Sequence, residues 1–213
     1  MRDTTTTPES AAAAVRSDTH ATALADGRPS NVKLVIGART GRVVFPFDRR
    51  DMRASEWVLW QPEERHGATQ LLLGDVREPN DADQPALMRW SAYHGDPVSG
   101  SGSAGWVSAV IESVRIGSDI FDGEELPIVN TLAADESAIC RSLNERSEHV
   151  GDAIARLAGK RPASPVVVGA DQFGVDVRGR FTVSRLAFDR PANDADDAAV
   201  LIEAMLAGTG DDG

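Results

Sequence analysis

Glu56-Trp57-Val58-Leu59-Trp60, then Gln61 to Gly67 (QPEERHG), then Ala68-Thr69-Gln70-Leu71-Leu72-Leu73-Gly74-Asp75-Val76-Arg77 is the stretch on which the fold turns. Aromatic and β-branched residues fill the first run, and such residues favour a pleated, half-buried surface. The turn-rich segment between the runs makes them two arms of a hairpin. Upstream, Val32-Lys33-Leu34-Val35-Ile36 and Arg42-Val43-Val44-Phe45-Pro46-Phe47 flank the turn Ala38-Arg39-Thr40-Gly41 and predict another hairpin. Pro46 lacks a backbone donor and pushes its strand toward a sheet edge. Residues 1 to 30 are rich in Thr, Ala and Ser with only the small-residue run Ala11 to Val15, and are expected to be a flexible arm or a weak helix.

Downstream, Ala86, Leu87 and Trp90 fall at helical spacing within Pro85 to His94. Gly95 to Gly105 (GDPVSGSGSAG) reads as a mobile loop, Trp106 to Ile116 as a long strand, and Pro127-Ile128-Val129 as a strand closing the sheet. From Asp135 the pattern changes. A helix to Leu157, broken near Gly151, precedes strands at Val166 to Ala170, Val175 to Val177 and Arg180 to Phe188. A last helix, Ala198 to Leu206, is opened by Asn193, Asp194 and Asp196, whose charges complement its dipole. Strands joined by hairpins, then helix, strands and helix, predict an antiparallel barrel followed by a small α+β unit. The expected divisions are an arm 1–30, a barrel domain 31–130 and a small domain 131–213.

The 213 residues carry 22 basic and 33 acidic side chains, a net charge of −11. That field repels phosphate backbones and anionic membranes, so neither nucleic acid nor membrane is an expected partner. No apolar run approaches the roughly 18–20 residues that cross a bilayer, and the N-terminus lacks a signal-peptide centre, so a cytoplasmic location is expected. The lone Cys140 excludes an intrachain disulfide and multi-thiolate metal sites.

The histidines, His20, His66, His94 and His149, have no zinc-site spacing. One imidazole suffices as an axial ligand to haem iron, and His149, on an amphipathic helix, and His94, ahead of the glycine-rich loop, are the candidates. Arg39, Arg42, Arg49, Arg50 and Arg53 concentrate guanidinium groups that match phosphate or propionate oxygens. No serine sits in a nucleophile elbow, and the glycine-rich loop lacks the lysine and strand–helix setting of a phosphate loop. Glu63-Glu64 and Glu124-Glu125 lie in turns and read as solvated. Whether the chain is catalytic stays open. Trp57, Trp60, Trp90 and Trp106 all fall in the barrel half, as core or interface anchors, and imply a homodimer.

The run LAADESAICRSLNERSEHVGDAIARLAG, followed by VVVGADQFGVDVRGRFTVSRLAFDRPANDADDAAVLIEAML, resembles the C-terminal domain of haem-utilisation (HugZ-type) proteins. The features that carry it are Leu143-Asn144-Glu145 with His149 nearby, the turn Gly169 to Val177, and Pro191 leading into Ala195-Asp196-Asp197-Ala198. The preceding half is similar in layout to the pyridoxamine-phosphate-oxidase-like, FMN-binding split barrel. The resemblance implies an α+β chain, an antiparallel split β-barrel followed by a small C-terminal α+β domain. It also implies a homodimer with haem or FMN between subunits. Three readings follow: haem bound by His149 or His94 with Arg49, Arg50 and Arg53 on the propionates; FMN with those arginines on its phosphate; or a cofactor-free interaction protein that keeps the scaffold.

Overall fold

The computed structural model describes residues 6–62, 69–95, 104–159, 161–180 and 182–208. The chain is α+β and divides between Val129 and Asn130 into two compact units.

The first unit runs α1 (Pro8–Ser17), β1 (His20–Ala25), β2 (Arg28–Lys33), β3 (Val35–Ile36), β4 (Val43–Asp48), β5 (Trp57–Gln61), β6 (Thr69–Arg77), α2 (Gln84–His94), β7 (Ala104–Ile116) and β8 (Asp119–Asp122). Its strands form one antiparallel sheet in the order β2-β1-β5-β6-β7-β4-β3, with β8 on β7, and the sheet curls as a half-barrel. Register explains the core. Ala25, Trp57, Leu73 and Ile111 lie opposite one another across four strands and point inward. Phe47 and Phe45 meet Trp57 at centroid distances of 4.8 and 6.2 Å. On the other face, α2 lays Trp90 against Trp106 at 5.1 Å.

The structure differs from the sequence reading at both ends of this unit. Residues expected as a flexible arm or a weak helix form α1 and β1, so a helix is present at Pro8–Ser17 and the strand is what the expectation lacked. Thr7 and Ser10 make a reciprocal cap on α1, Pro8 opens its first turn, and Ala11, Ala12 and Val15 are fully buried. In β1, Ala21, Ala23 and Ala25 point inward and are fully buried. Alanine carries little hydrophobic signal, so this buried strand does not stand out in the sequence. Asp26 and Gly27, at φ 47° and 77°, make the tight turn into β2. At the other end Pro127 to Val129 is not a strand. The Ile128 carbonyl accepts from the buried Arg16 guanidinium at 3.1 Å and its N–H donates to the Leu126 carbonyl at 2.7 Å, which leaves no ladder to join. The eighth strand is Asp119–Asp122, paired with β7 around a turn at Gly117. Pro46 lies beyond the end of β3, where β4 pairs with β7 alone, so its missing donor leaves no ladder bond unmade on that side. Most of the expected loop, residues 96–103, and Glu63, Glu64 and His66 lie outside the described residues.

The second unit runs α3 (Glu136–Glu145), α4 (Ser147–Ala158), β9 (Val166–Asp171), β10 (Gly174–Arg178), β11 (Val183–Ala187) and α5 (Ala195–Ala207). Its sheet has the order β11-β10-β9. Leu143, Val150, Ile154, Val167, Val175, Val177, Leu186 and Ile202 share one core. The helix break falls at Arg146, whose φ of −114° and ψ of 32° end α3, and not at Gly151. Gly151 lies within α4 beside the Arg161 side chain, whose Nε would stand 2.9 Å from a Cβ there.

Two polar devices hold this unit. Asn144 donates to the Val167 carbonyl at 3.0 Å and accepts from the Val167 N–H at 2.8 Å, while Glu136 accepts from the Ala170 N–H at 3.1 Å. Side chains of α3 thus occupy backbone groups along the edge of β9 that would otherwise template strand pairing. Asn144, one of the residues that carry the resemblance, closes a sheet edge. Arg185, 7% exposed, is clamped between Asp171 and Asp176, 1% and 6% exposed. It meets Asp176 at 2.9 Å and is in hydrogen-bond contact with Asp171.

Candidate functional site

Sequence-selected residues fall in different places. His149 is exposed on α4 in the second unit, where its charge helps lower the Glu203 carboxyl, whose main partner is Arg146. Arg49, Arg50 and Arg53 lie on a 3-10 turn, Arg49–Arg53, and all three are exposed. Arg50 and Arg53 have no ion-pair partner among the described residues. The turn is not a positive patch, however. Arg49 faces Glu78 at 3.8 Å, Asp51 pairs with Arg28 at 2.8 Å, and Asp48 accepts the Arg50 N–H at 3.0 Å. Carboxylates interleave with guanidinium groups and offset them. Arg39 is exposed. Arg42 is consumed by the fold: it donates to Ser108 Oγ at 2.8 Å and to Asp75 Oδ2 at 2.7 Å, beside the fully buried Asp83. Burial alone would raise the Asp83 carboxyl, but hydrogen bonds from Asn80, Arg77 and Ser108 outweigh it and hold the group below its ordinary value.

His94 is different. It ends α2, half-buried, with its ring 5.0 Å from Trp90, 6.1 Å from Tyr93 and 5.8 Å from His20. Three elements build this cluster. His20 at the start of β1 lies directly opposite Lys33 at the end of β2, so both side chains leave the same face. The Trp90 indole donates to the Lys33 carbonyl at 2.8 Å and seats α2 on that edge. One turn later His94 Nε2 meets the Leu34 carbonyl at 3.1 Å. Since a carbonyl only accepts, Nε2 carries the proton and Nδ1 keeps its lone pair. Arg89, on the same helix, donates to the Tyr93 hydroxyl at 2.8 Å and lies over its ring.

Burial, the largest influence, lowers the His94 pKa from 6.5 to about 4; the Leu34 hydrogen bond opposes this, and His20 and Lys33 add to it. The imidazole is therefore a neutral lone-pair donor at neutral pH. The sign of its linkage follows. Below 6.5 the unfolded chain takes a proton that the folded chain refuses, so this group's stability contribution is full above 6.5 and is lost as pH falls toward about 4. Thermal melts of wild type and His94→Gln across that range are expected to show a steeper acid loss in wild type. Equal slopes would contradict the neutral-imidazole assignment.

His94 and the arginine turn do not converge within one chain. Phe47 lies opposite Gly105 and faces the barrel interior, whereas Pro46 lies opposite Trp106 and faces α2. Arg49 crosses Gly105 so closely that a Cβ there would stand 2.7 Å from Arg49 Cγ. The two candidate groups thus stand on opposite faces of the β4–β7 pair. Among the described residues Lys33, opposite His20, and Arg89, over the Tyr93 ring, are cations on the His94 side that sequence reading missed. The facing of His20 and Lys33 across the Asp26-Gly27 hairpin is the signal that would have found the former.

No family model and no curated protein matches this sequence. Among solved structures, a protein of unknown function from Agrobacterium tumefaciens str. C58 superposes with a TM-score of 0.69 at 16% identity, over 92% of this chain and 94% of that one. A haem-binding protein from Mycobacterium smegmatis is a looser likeness, with a TM-score of 0.43 at 16% identity over 97% of this chain and 98% of that one. The first likeness shows a shared fold. Among the described residues no helix is long and apolar enough to cross a membrane.

Proposed function

We propose that this chain is a homodimeric haem-binding split-barrel protein in which His94 is the iron ligand. The observation that carries the reading is the neutral, half-buried His94 imidazole set among Trp90, Tyr93 and His20, because a porphyrin needs an apolar wall and one lone-pair nitrogen. Lys33 and Arg89 would be the cations for propionates on that side. Haem would supply the iron chemistry, while the chain holds the ligand nitrogen and shields one porphyrin face. His149 remains the second ligand candidate.

Dimerisation is supported by the outer face of the sheet. An antiparallel sheet with one buried face ordinarily presents polar residues on the other. Here Leu24, Val58 and Leu72 lie opposite one another across β1, β5 and β6, flanked by Trp60 and by Val110 on β7; Val58 is already buried by its neighbours, and Leu24 and Trp60 are half-buried. Leu72 and Val110 are 37% and 39% exposed. A second copy would cover this stripe.

A cofactor-free interaction protein is the second reading, favoured by the carboxylates among Arg49, Arg50 and Arg53 and by their separation from His94. The same carboxylates weaken FMN, the other alternative, because its phosphate would meet no net positive charge there. Haemin and FMN titrations of the purified chain, with light scattering, separate the three. Saturable haemin binding with a Soret shift lost in His94→Ala, kept in His149→Ala, on a particle of twice the chain mass is the expected result. Saturable FMN binding without haemin binding would replace haem by flavin. A protein silent to both would leave the interaction reading.

A further inference from the structure

We propose that His20 and His94 together bind one imidazole-seeking transition-metal ion of the Zn2+ and Cu2+ class, with water or a small exogenous ligand in its remaining positions. The inference does not rest on haem binding, although both use His94.

Three observations carry it. The first is span. With a metal–nitrogen bond of about 2.0–2.1 Å, an imidazole centre stands about 3.2 Å from its metal, so two rings on one ion lie about 5–6.3 Å apart between tetrahedral and linear arrangements. The His20 and His94 centres are 5.8 Å apart, within that range, with an interplanar angle of 82°.

The second is the outer partner of each ring. A metal-ligating histidine characteristically gives its other ring nitrogen to a carbonyl, carboxylate or hydroxyl, which fixes the tautomer. His94 Nε2 is held by the Leu34 carbonyl at 3.1 Å. His20 Nδ1 stands 3.4 Å from Thr19 Oγ1 and 4.0 Å from Asp18 Oδ1, and the same Asp18 oxygen accepts the His20 backbone N–H at 2.9 Å. This leaves Nδ1 of His94 with its lone pair, and Nε2 of His20 as the ring nitrogen clear of the Thr19 and Asp18 contacts.

The third is access. The His20 side chain is 40% exposed, so an ion can reach the pair from solvent. Among the described residues no third histidine, cysteine or carboxylate completes a set of three. The site is accordingly open and exchangeable. Imidazole ligands favour Cu2+ over Zn2+ in affinity, which makes copper the more sensitive probe.

The test is Cu2+ titration of the full chain at pH 7.5, read by electron paramagnetic resonance, on wild type, His20→Ala, His94→Ala and His149→Ala. Wild type is expected to take one equivalent with hyperfine coupling to two imidazole nitrogens. His20→Ala should lose one of these couplings and at least about tenfold in affinity, since even outer-partner changes cost that much. His20 is a half-exposed strand-end residue, and an unchanged circular dichroism spectrum establishes that its variant is folded. Copper binding unchanged in His20→Ala, or lost in His149→Ala instead, would overturn the site. Haemin titration of wild type reports on the haem reading separately: a chain that binds copper through two imidazoles and ignores haemin keeps this site and loses that function.

Discussion

Arg185→Ala is expected to unfold residues 130–208 under conditions in which the wild-type chain is fully folded. Arg185 is buried between Asp171 and Asp176, and both carboxylates are themselves almost completely buried. Although burial works against its charge, the two carboxylates raise its pKa above the ordinary value. Removing the guanidinium leaves carboxylates facing each other in the core, a change that costs about 3–5 kcal/mol. That is a large share of the roughly 5–15 kcal/mol available to a domain. The pair is not irreplaceable as packing, however. Arg185→Met combined with Asp171→Asn and Asp176→Asn removes every charge and is expected to recover most of the loss, because buried ion pairs gain little over neutral groups of similar shape. Far-UV circular dichroism in guanidinium chloride checks both. If Arg185→Ala unfolds with a wild-type midpoint, the clamp does not hold this unit.

The fold was legible where side chains are large and periodic. Trp57, Leu59, Leu71 and Leu73 alternate with the outer residues of β5 and β6, so two strands and their hairpin followed from pattern alone. α5 followed from Asp194, whose side chain accepts the Asp197 N–H at 2.9 Å. What stayed hidden is carried by small or polar groups. Ala21, Ala23 and Ala25 build a buried strand with almost no hydrophobic signal, and Asn144 completes a sheet edge with its amide. The candidate site was half legible for a related reason. His94 was visible as the end of a helix, but its neighbours His20 and Lys33 belong to a hairpin hidden in the alanine-rich region. The arginine turn was conspicuous in sequence because charge counts ignore geometry; in three dimensions its carboxylate neighbours and its place on the opposite face of β4–β7 set it apart from His94.

Trp57→Ala is expected to do to the first unit what Arg185→Ala does to the second. Trp57 is 2% exposed, its ring meets Phe45 and Phe47, and its indole N–H donates to the Ala54 carbonyl at 3.2 Å. Truncation leaves a cavity at the centre of the half-barrel and an unpaired carbonyl beside it, a loss of about 3–5 kcal/mol. The chain carries its own reporter for which unit fails. All 4 tryptophans and the only tyrosine lie in the first unit, so aromatic emission follows the half-barrel alone, while far-UV circular dichroism also sees α3, α4 and α5. If each core is a cooperative unit, Trp57→Ala shifts the emission transition to lower denaturant and leaves a later dichroism transition in place. Arg185→Ala should do the reverse, with native emission persisting after the dichroism of α3, α4 and α5 has gone while that of α1 and α2 remains. Coincident loss of both signals in both variants would mean that the two cores fold as one, and the division at Val129 would then describe contacts and not stability.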